Sequence, residues 1–201
     1  QEELLARPAP GTDRVTNTQK LSNTFKTVKH VSIGAPTLKS YIDYFCDAFL
    51  VEQVNRYDVK GKRYIGTPLK YYFSDLGLRN ALLNFRQVEK THLMENLIYN
   101  ELRGRGYNVD VGVVPYNGKN AQGVSFRTQL EVDFVCNKGS QRLYVQSALA
   151  LPTQEKIDQE TKSLRRIDDG FQKMVVVGDH TIGSHDESGI LFINIYDFLM
   201  Q

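Results

Sequence analysis

Arg56, Lys60, Lys62 and Arg63 crowd one short stretch, with Tyr57 and Tyr64 interleaved and Asp58 as the nearby acid. Cations alternating with aromatics suit phosphate contact and stacking along a nucleic-acid backbone, where counterion release supplies affinity that does not depend on sequence. The same letters also describe a β-ribbon exposed on both edges and kept soluble by its charge. Two acids further along invite a different chemistry. Glu95 lies one helical turn from His92, a spacing that can set two ligands on a metal but that recurs by chance, and His92 also reads as a helix-start residue. Asp133 sits inside VDFVC. An acid in so apolar a run generally has a partner, the alternative being a strand residue turned to solvent.

These residues need elements to position them. Leu21, Phe25 and Val28 recur at helical spacing behind a Thr/Asn cluster able to cap a helix. A turn at Gly34, with Pro36 at a first helical position, then opens a second helix carrying Leu38, Ile42, Phe45 and Phe49 on one face. Two helices meeting at a short Gly turn, followed by β-prone runs around Lys60, Gly61 and Lys62, predict a winged helix over residues 16–87. In it the basic hairpin is the wing, and Lys39 and Ser40 are the polar residues nearest the start of a recognition helix. That helix also carries Asp43 and Asp47, so a protein-contacting winged helix fits as well, with Tyr41, Tyr44 and Phe45 in a core or an interface. Lys70 belongs to the same basic stretch, and Ser74 or Asp75 reads as a helix cap.

From about Val88 to Arg105 the pattern is strongly helical, and three β-prone runs follow, YNVDVGVVPY, SFRTQLEVDFVCN and QRLYVQSALAL. A helix from about Thr153 to Ile167, the strand QKMVVVG, and a closing strand and helix in ILFINIYDFLM complete the second domain, residues 88–201. The expected class is α/β, or α+β over the whole chain, with a mixed central sheet.

A 201-residue chain with 41% hydrophobic and 24% charged residues suits one large or two small soluble domains. Residues 1–90 carry 14 Lys and Arg against 9 Asp and Glu, giving +5, and the remainder carries 11 against 14, giving −3. A basic front and an acidic back suggest two jobs. No apolar stretch approaches the roughly 20 residues that span a bilayer, so no membrane partner is expected. Cys46 and Cys136, far apart in apolar patterns, suit a reducing cytoplasm. Residues 1–15 read as a linker from a preceding module, because QEELLAR breaks at Pro8, Pro10 and Gly11 without a signal-peptide core.

Glu95 on a helix, Asp133 in LEVDFV and the strand YVQSA together resemble the PD-(D/E)XK fold, a restriction-endonuclease-like α/β core. By that resemblance a strand Asp and a Glu on the next strand hold a divalent metal. The first-helix Glu assists, and a Lys two residues beyond the strand Glu helps activate water. Here the Glu position is Gln146 and the Lys position is Ala148. The resemblance therefore implies a remnant site of Glu95, Asp133 and Gln146, with Asp133 and Glu95 as the metal candidates for Mg²⁺, and argues against cleavage.

LSNTF, LKSYIDYFCDAFLVEQVNRYDVKGKRYI, KYYFSDLGLRNALLNF, MENLIYNELRGRGYNVDVG and QLEVDFVCNKGSQRLYVQSALAL resemble the C-terminal region of a prokaryotic AAA+ type ATPase family. There an uncharacterised, nuclease-like domain follows the ATPase module and a winged helix. The resemblance implies ATP binding and hydrolysis in a part of the parent chain absent here, since no G-x-x-x-x-G-K-[ST] occurs and GKRYIGT has the wrong spacing. No cofactor is expected in residues 1–201 themselves. Three functions follow as expectations: a module contacting double-stranded DNA, a module contacting the ATPase or another protein without DNA, and a residual metal-dependent nuclease.

Overall fold

The computed structural model describes residues 17–28, 30–86, 89–119, 123–179 and 183–201. The expected linker 1–15 lies outside them, as do Thr16 and Gln87 at the ends of the expected first domain. Helix α1, Thr18–Val28, starts where Asn17 accepts the Gln19 N–H at 2.9 Å. Helix α2, Ala35–Asp47, follows Gly34 with Pro at its first turn and buries Leu38 and Ile42. Phe49, expected on the same face, falls beyond the helix in a turn at φ 56° and is 82% exposed. The hairpin strands are β1, Val51–Asp58, and β2, Arg63–Phe73. Between them the Asp58 carboxylate accepts the Gly61 N–H at 2.8 Å, and a Cβ at Gly61 would collide with that carboxylate at 2.4 Å. Helix α3, Leu76–Leu82, is capped as anticipated, with Asp75 accepting the Leu78 N–H at 2.6 Å.

Helix α4 runs Lys90–Gly104, and strands β3, Asn108–Lys119, β4, Ser125–Lys138, and β5, Gln141–Ala148, form an antiparallel meander. Helix α5, Gln154–Thr161, is capped by Thr153, and a 3-10 turn at Leu164–Arg166 replaces the last part of the single helix expected there. Strand β6, Gln172–Val177, returns parallel to β5. Strands β7, Ser184–His185, and β8, Leu191–Asn194, follow, with β8 parallel to β6, and helix α6, Ile195–Met200, closes the chain. The sheet order is β2-β1-β3-β4-β5-β6-β8-β7. The class is α+β around a large mixed sheet.

Two compact units make up the chain, and the hairpin is divided between them. One unit continues to Arg56 and resumes from Ile65 to Val88, whereas Tyr57–Tyr64 belongs with Glu89–Gln201. The expected boundary near residue 88 therefore omits the hairpin tip, which is part of the second unit. Val59 is buried there and donates its N–H to the Val113 carbonyl at 3.0 Å, so the tip adds to the sheet instead of projecting as a wing.

In the second unit, Val114, Val132, Val135, Tyr144, Ala148, Leu164 and Val175 share one apolar cluster beneath α5. Met94, Ile98, Tyr99 and Leu102 of α4 are buried as well, and the Tyr99 ring lies 6.2 Å from that of Phe134 on β4. Across β3 and β4 the register passes from Gly112↔Val132 to Asp110↔Val135, so β4 carries one extra residue in a bulge at Asp133–Phe134. Gly112 permits it, because a Cβ there would meet Val135 at 2.8 Å and Val132 at 2.9 Å. Gly112→Ala is expected to overpack the bulge and cost roughly 1–3 kcal/mol, read as a lower midpoint in urea unfolding with an unchanged slope.

Candidate functional site

Pairing between β4 and β5 runs from Lys138↔Gln141 to Phe134↔Val145 and stops at the bulge. Beyond it the strands part, and two backbone N–H groups lose their ladder partners. Side chains replace them. The Asp133 carboxylate accepts the Ser147 N–H at 2.9 Å, and the Gln146 side-chain oxygen accepts the Asp133 N–H at 3.3 Å. Asp133 is only 3% exposed, so its bond to Ser147 forms in a dry setting where an unmade bond is costly. The Gln146 amide also donates to Glu160 of α5 at 3.4 Å, and Glu160 is held by Lys156 at 2.6 Å.

The strand period separates the residues expected to act together. Val145 pairs with Phe134, whose ring meets Tyr99 of α4, so Val145 and Ser147 take the α4 face. Tyr144, Gln146 and Ala148 take the α5 face, in line with the Gln146–Glu160 bond and the place of Ala148 in the core beneath α5. Glu95 is 1% exposed and sits among the sheet-facing residues of α4. Glu95 and Gln146 therefore approach from opposite faces, whereas Asp133 and Gln146 are joined through the Asp133 N–H. Ser147 is the residue that sequence reasoning missed. It is 7% exposed, and its hydroxyl has no hydrogen-bond partner among the described residues. Only the register reveals its face.

The donor set does not fit Mg²⁺. Among the described residues no group of three His, Cys, Asp or Glu side chains converges on one point. One Asp133 oxygen is engaged by a backbone amide and the Gln146 oxygen by another, and Ala148 supplies no polar atom. His92 contacts Glu89 at the start of α4, as a helix-start residue would.

The basic candidates divide by environment. Lys60, Lys62 and Arg63 are exposed on the turn of the hairpin, Arg63 at 3.9 Å from Asp58. Arg56 is half-buried, and Lys70 is 1% exposed, which removes it from any phosphate-facing surface. On α2, Lys39 is neutralised by Asp43 at 2.8 Å, and the Ser40 hydroxyl donates to the Pro36 carbonyl.

An aromatic and polar network holds the turn in place. The Tyr57 and Tyr64 rings meet edge-on at 5.5 Å, and the Arg142 guanidinium lies 5.5 Å from both the Tyr57 and Phe171 rings. Tyr64 donates to Asp110 at 3.3 Å, and Tyr144 to Asp169 at 2.6 Å. Burial pushes the Asp110 carboxyl up, against the hydrogen bond from Tyr64 and the charge of Arg142. Burial and the bond to Asp169 push the Tyr144 hydroxyl up to about 12.

Residues 6–89 match a domain of unknown function, DUF8612. An uncharacterised protein of Haemophilus influenzae is 31% identical over 193 residues, which cover 96% of this chain and 44% of that protein. An uncharacterised protein of Methanocaldococcus jannaschii is 27% identical over 165 residues, covering 79% of this chain and 36% of its own length. The chain thus spans less than half the length of the curated relatives it matches.

Asp133→Ala leaves the buried Ser147 N–H without an acceptor and is expected to cost about 1–3 kcal/mol, whereas Asp133→Asn keeps an oxygen for it and costs less. Urea unfolding of the two variants side by side measures the difference. For Asp110 the folded pKa is raised above 3.8. Its contribution is therefore fully present below that value and is lost as pH rises through the folded pKa. Asp110→Asn should change stability little in acid and stabilise progressively toward neutral pH, as a series of thermal melts across that range would record.

Proposed function

We propose that this chain is a non-catalytic, DNA-binding regulatory module of a longer prokaryotic, cytoplasmic protein, with a degenerate nuclease-like core. The observation that carries the binding part is the turn presenting Lys60, Lys62 and Arg63 to solvent on a base clamped by the Val59–Val113 hydrogen bond. A rigid, exposed cationic loop meets a phosphate backbone at little cost in ordering. The non-catalytic part is supported by the commitment of Asp133 and Gln146 to backbone amides and by the burial of Ala148. The element order α4-β3-β4-β5-α5-β6 accords with the restriction-endonuclease-like reading, and the unmatched length of the relatives leaves room for the ATPase module that the wider resemblance implies.

A second reading, contact with the ATPase or another protein, is favoured by Tyr44, Phe49 and Phe85 of the first unit, which are 65%, 82% and 68% exposed. Mobility shifts with a DNA duplex at graded salt separate the two. DNA binding predicts a shift that weakens with salt and a slope that falls by about 0.9 for each cation removed in Lys60→Gln, Lys62→Gln and Arg63→Gln. Absence of any shift at low salt leaves the protein-contact reading. With Mg²⁺ or Mn²⁺ added, neither the native chain nor Asp133→Ala is expected to cleave the DNA, and cleavage by the native chain alone restores the nuclease reading.

A further inference from the structure

The distal part of the β3–β4 ribbon carries a second cationic and aromatic surface that shares no residue with the hairpin turn. Tyr116 pairs with Thr128 and Gly118 with Phe126, so Tyr116 and Phe126 stand on one face of the ribbon. Their rings meet edge to face at 6.0 Å and 82°. Gly118 makes the arrangement possible, since a Cβ there would lie 2.6 Å from the Phe126 ring and 3.0 Å from that of Tyr116. Phe126 remains 43% exposed. Two cations from beyond α5 complete the surface, with Lys162 Nζ 4.6 Å and Arg166 Cζ 4.2 Å from the Tyr116 centroid.

The charge state of this surface distinguishes it from its surroundings. Lys156 is neutralised by Glu160, and Arg165 is shared between Asp158 at 3.1 Å and Asp186 at 3.2 Å. Lys162 and Arg166 are both exposed, and among the described residues neither forms an ion pair. A π-face orients a cation without cancelling its charge, so both remain available to an anion. Arg127, opposite Asn117, projects from the other face of the ribbon.

We infer that Phe126, Tyr116, Lys162 and Arg166 form a binding site for single-stranded nucleic acid, with the two cations on the phosphates and a base stacked on Phe126. In a duplex the base faces are already stacked on one another, whereas an unpaired strand offers a free face to an exposed ring. The chemistry asks for both components, repeating negative charge and a flat aromatic surface, and the ribbon presents both on one side.

Fluorescence anisotropy with a labelled single-stranded oligonucleotide, beside the duplex of the same sequence, tests this on the 201-residue chain. Circular dichroism melts confirm that each variant folds. Phe126→Ala is expected to weaken single-strand binding about tenfold and to leave the duplex affinity unchanged, with Phe126→Leu giving the same result should the alanine variant unfold. Lys162→Gln with Arg166→Gln is expected to lower the salt slope on single strands by about 1.4, and Arg127→Gln to change nothing. Single-strand binding that is absent in the native chain, or unaltered by the Phe126 and cation variants, overturns the inference, as does preference for an acidic peptide over the oligonucleotide. Failure of the hairpin reading looks different: duplex binding is then missing or insensitive to Lys60, Lys62 and Arg63, while the single-strand results stand.

Discussion

Buried backbone N–H groups must be paired, and in this protein that requirement is most acute where β4 and β5 part beyond Phe134 and Val145. Much of the second unit follows from how the parting is resolved. The bulge opposite Val111 gives β4 its extra residue, Gly112 leaves space for the Val132 and Val135 side chains that close around it, and the Asp133 carboxylate takes the Ser147 amide. Gln146 returns the favour to the Asp133 amide and ties the strand to α5 through Glu160. An acid that looks like a metal ligand is thus a structural acceptor. Its place beside Gln146 is accounted for by main-chain hydrogen bonding.

Both units sort their cations by what faces them. Lys39, Lys156 and Arg165 meet carboxylates and are nearly neutral as seen from solvent. Arg142 is held among aromatic rings, where it helps to fasten the hairpin tip. Lys162 and Arg166 rest on Tyr116, while Lys60, Lys62 and Arg63 crowd a turn where Asp58 accepts the Gly61 N–H and lies 3.9 Å from Arg63. A net charge of +2 over the whole chain conceals this division. Local compensation decides where a phosphate is attracted, because screening confines the field to about 8–10 Å.

The first unit is built on a thin core of Leu38, Ile42, Val51, Val54 and Tyr72, and α1 buries no residue. Large apolar groups such as Tyr44 and Phe49 remain outside that core. Its sequence is also the part that matches the domain of unknown function. The hairpin tip, Tyr57–Tyr64, lies inside that match and yet packs with the other unit, so the two kinds of boundary do not coincide.

Local chemistry was legible in the letters. The caps at Asn17 and Asp75, the proline-led start of α2 and the succession of helix, three strands, helix and strand all followed from periodicity and turn residues. Each depends on neighbours a few positions away, which a single sequence contains. Ser147, the integration of the hairpin tip and the separation of Gln146 from Glu95 did not follow. A strand alternates faces every residue, so one bulged position reverses which side chains share a pocket, and the bulge at Asp133 exists only through the pairing of β4 with β3 and β5. The sequence by itself determined which segments would form elements and where their caps and turns lie. The tertiary structure alone decided which of them meet, because register, bulge and charge compensation are properties of strands and helices in contact.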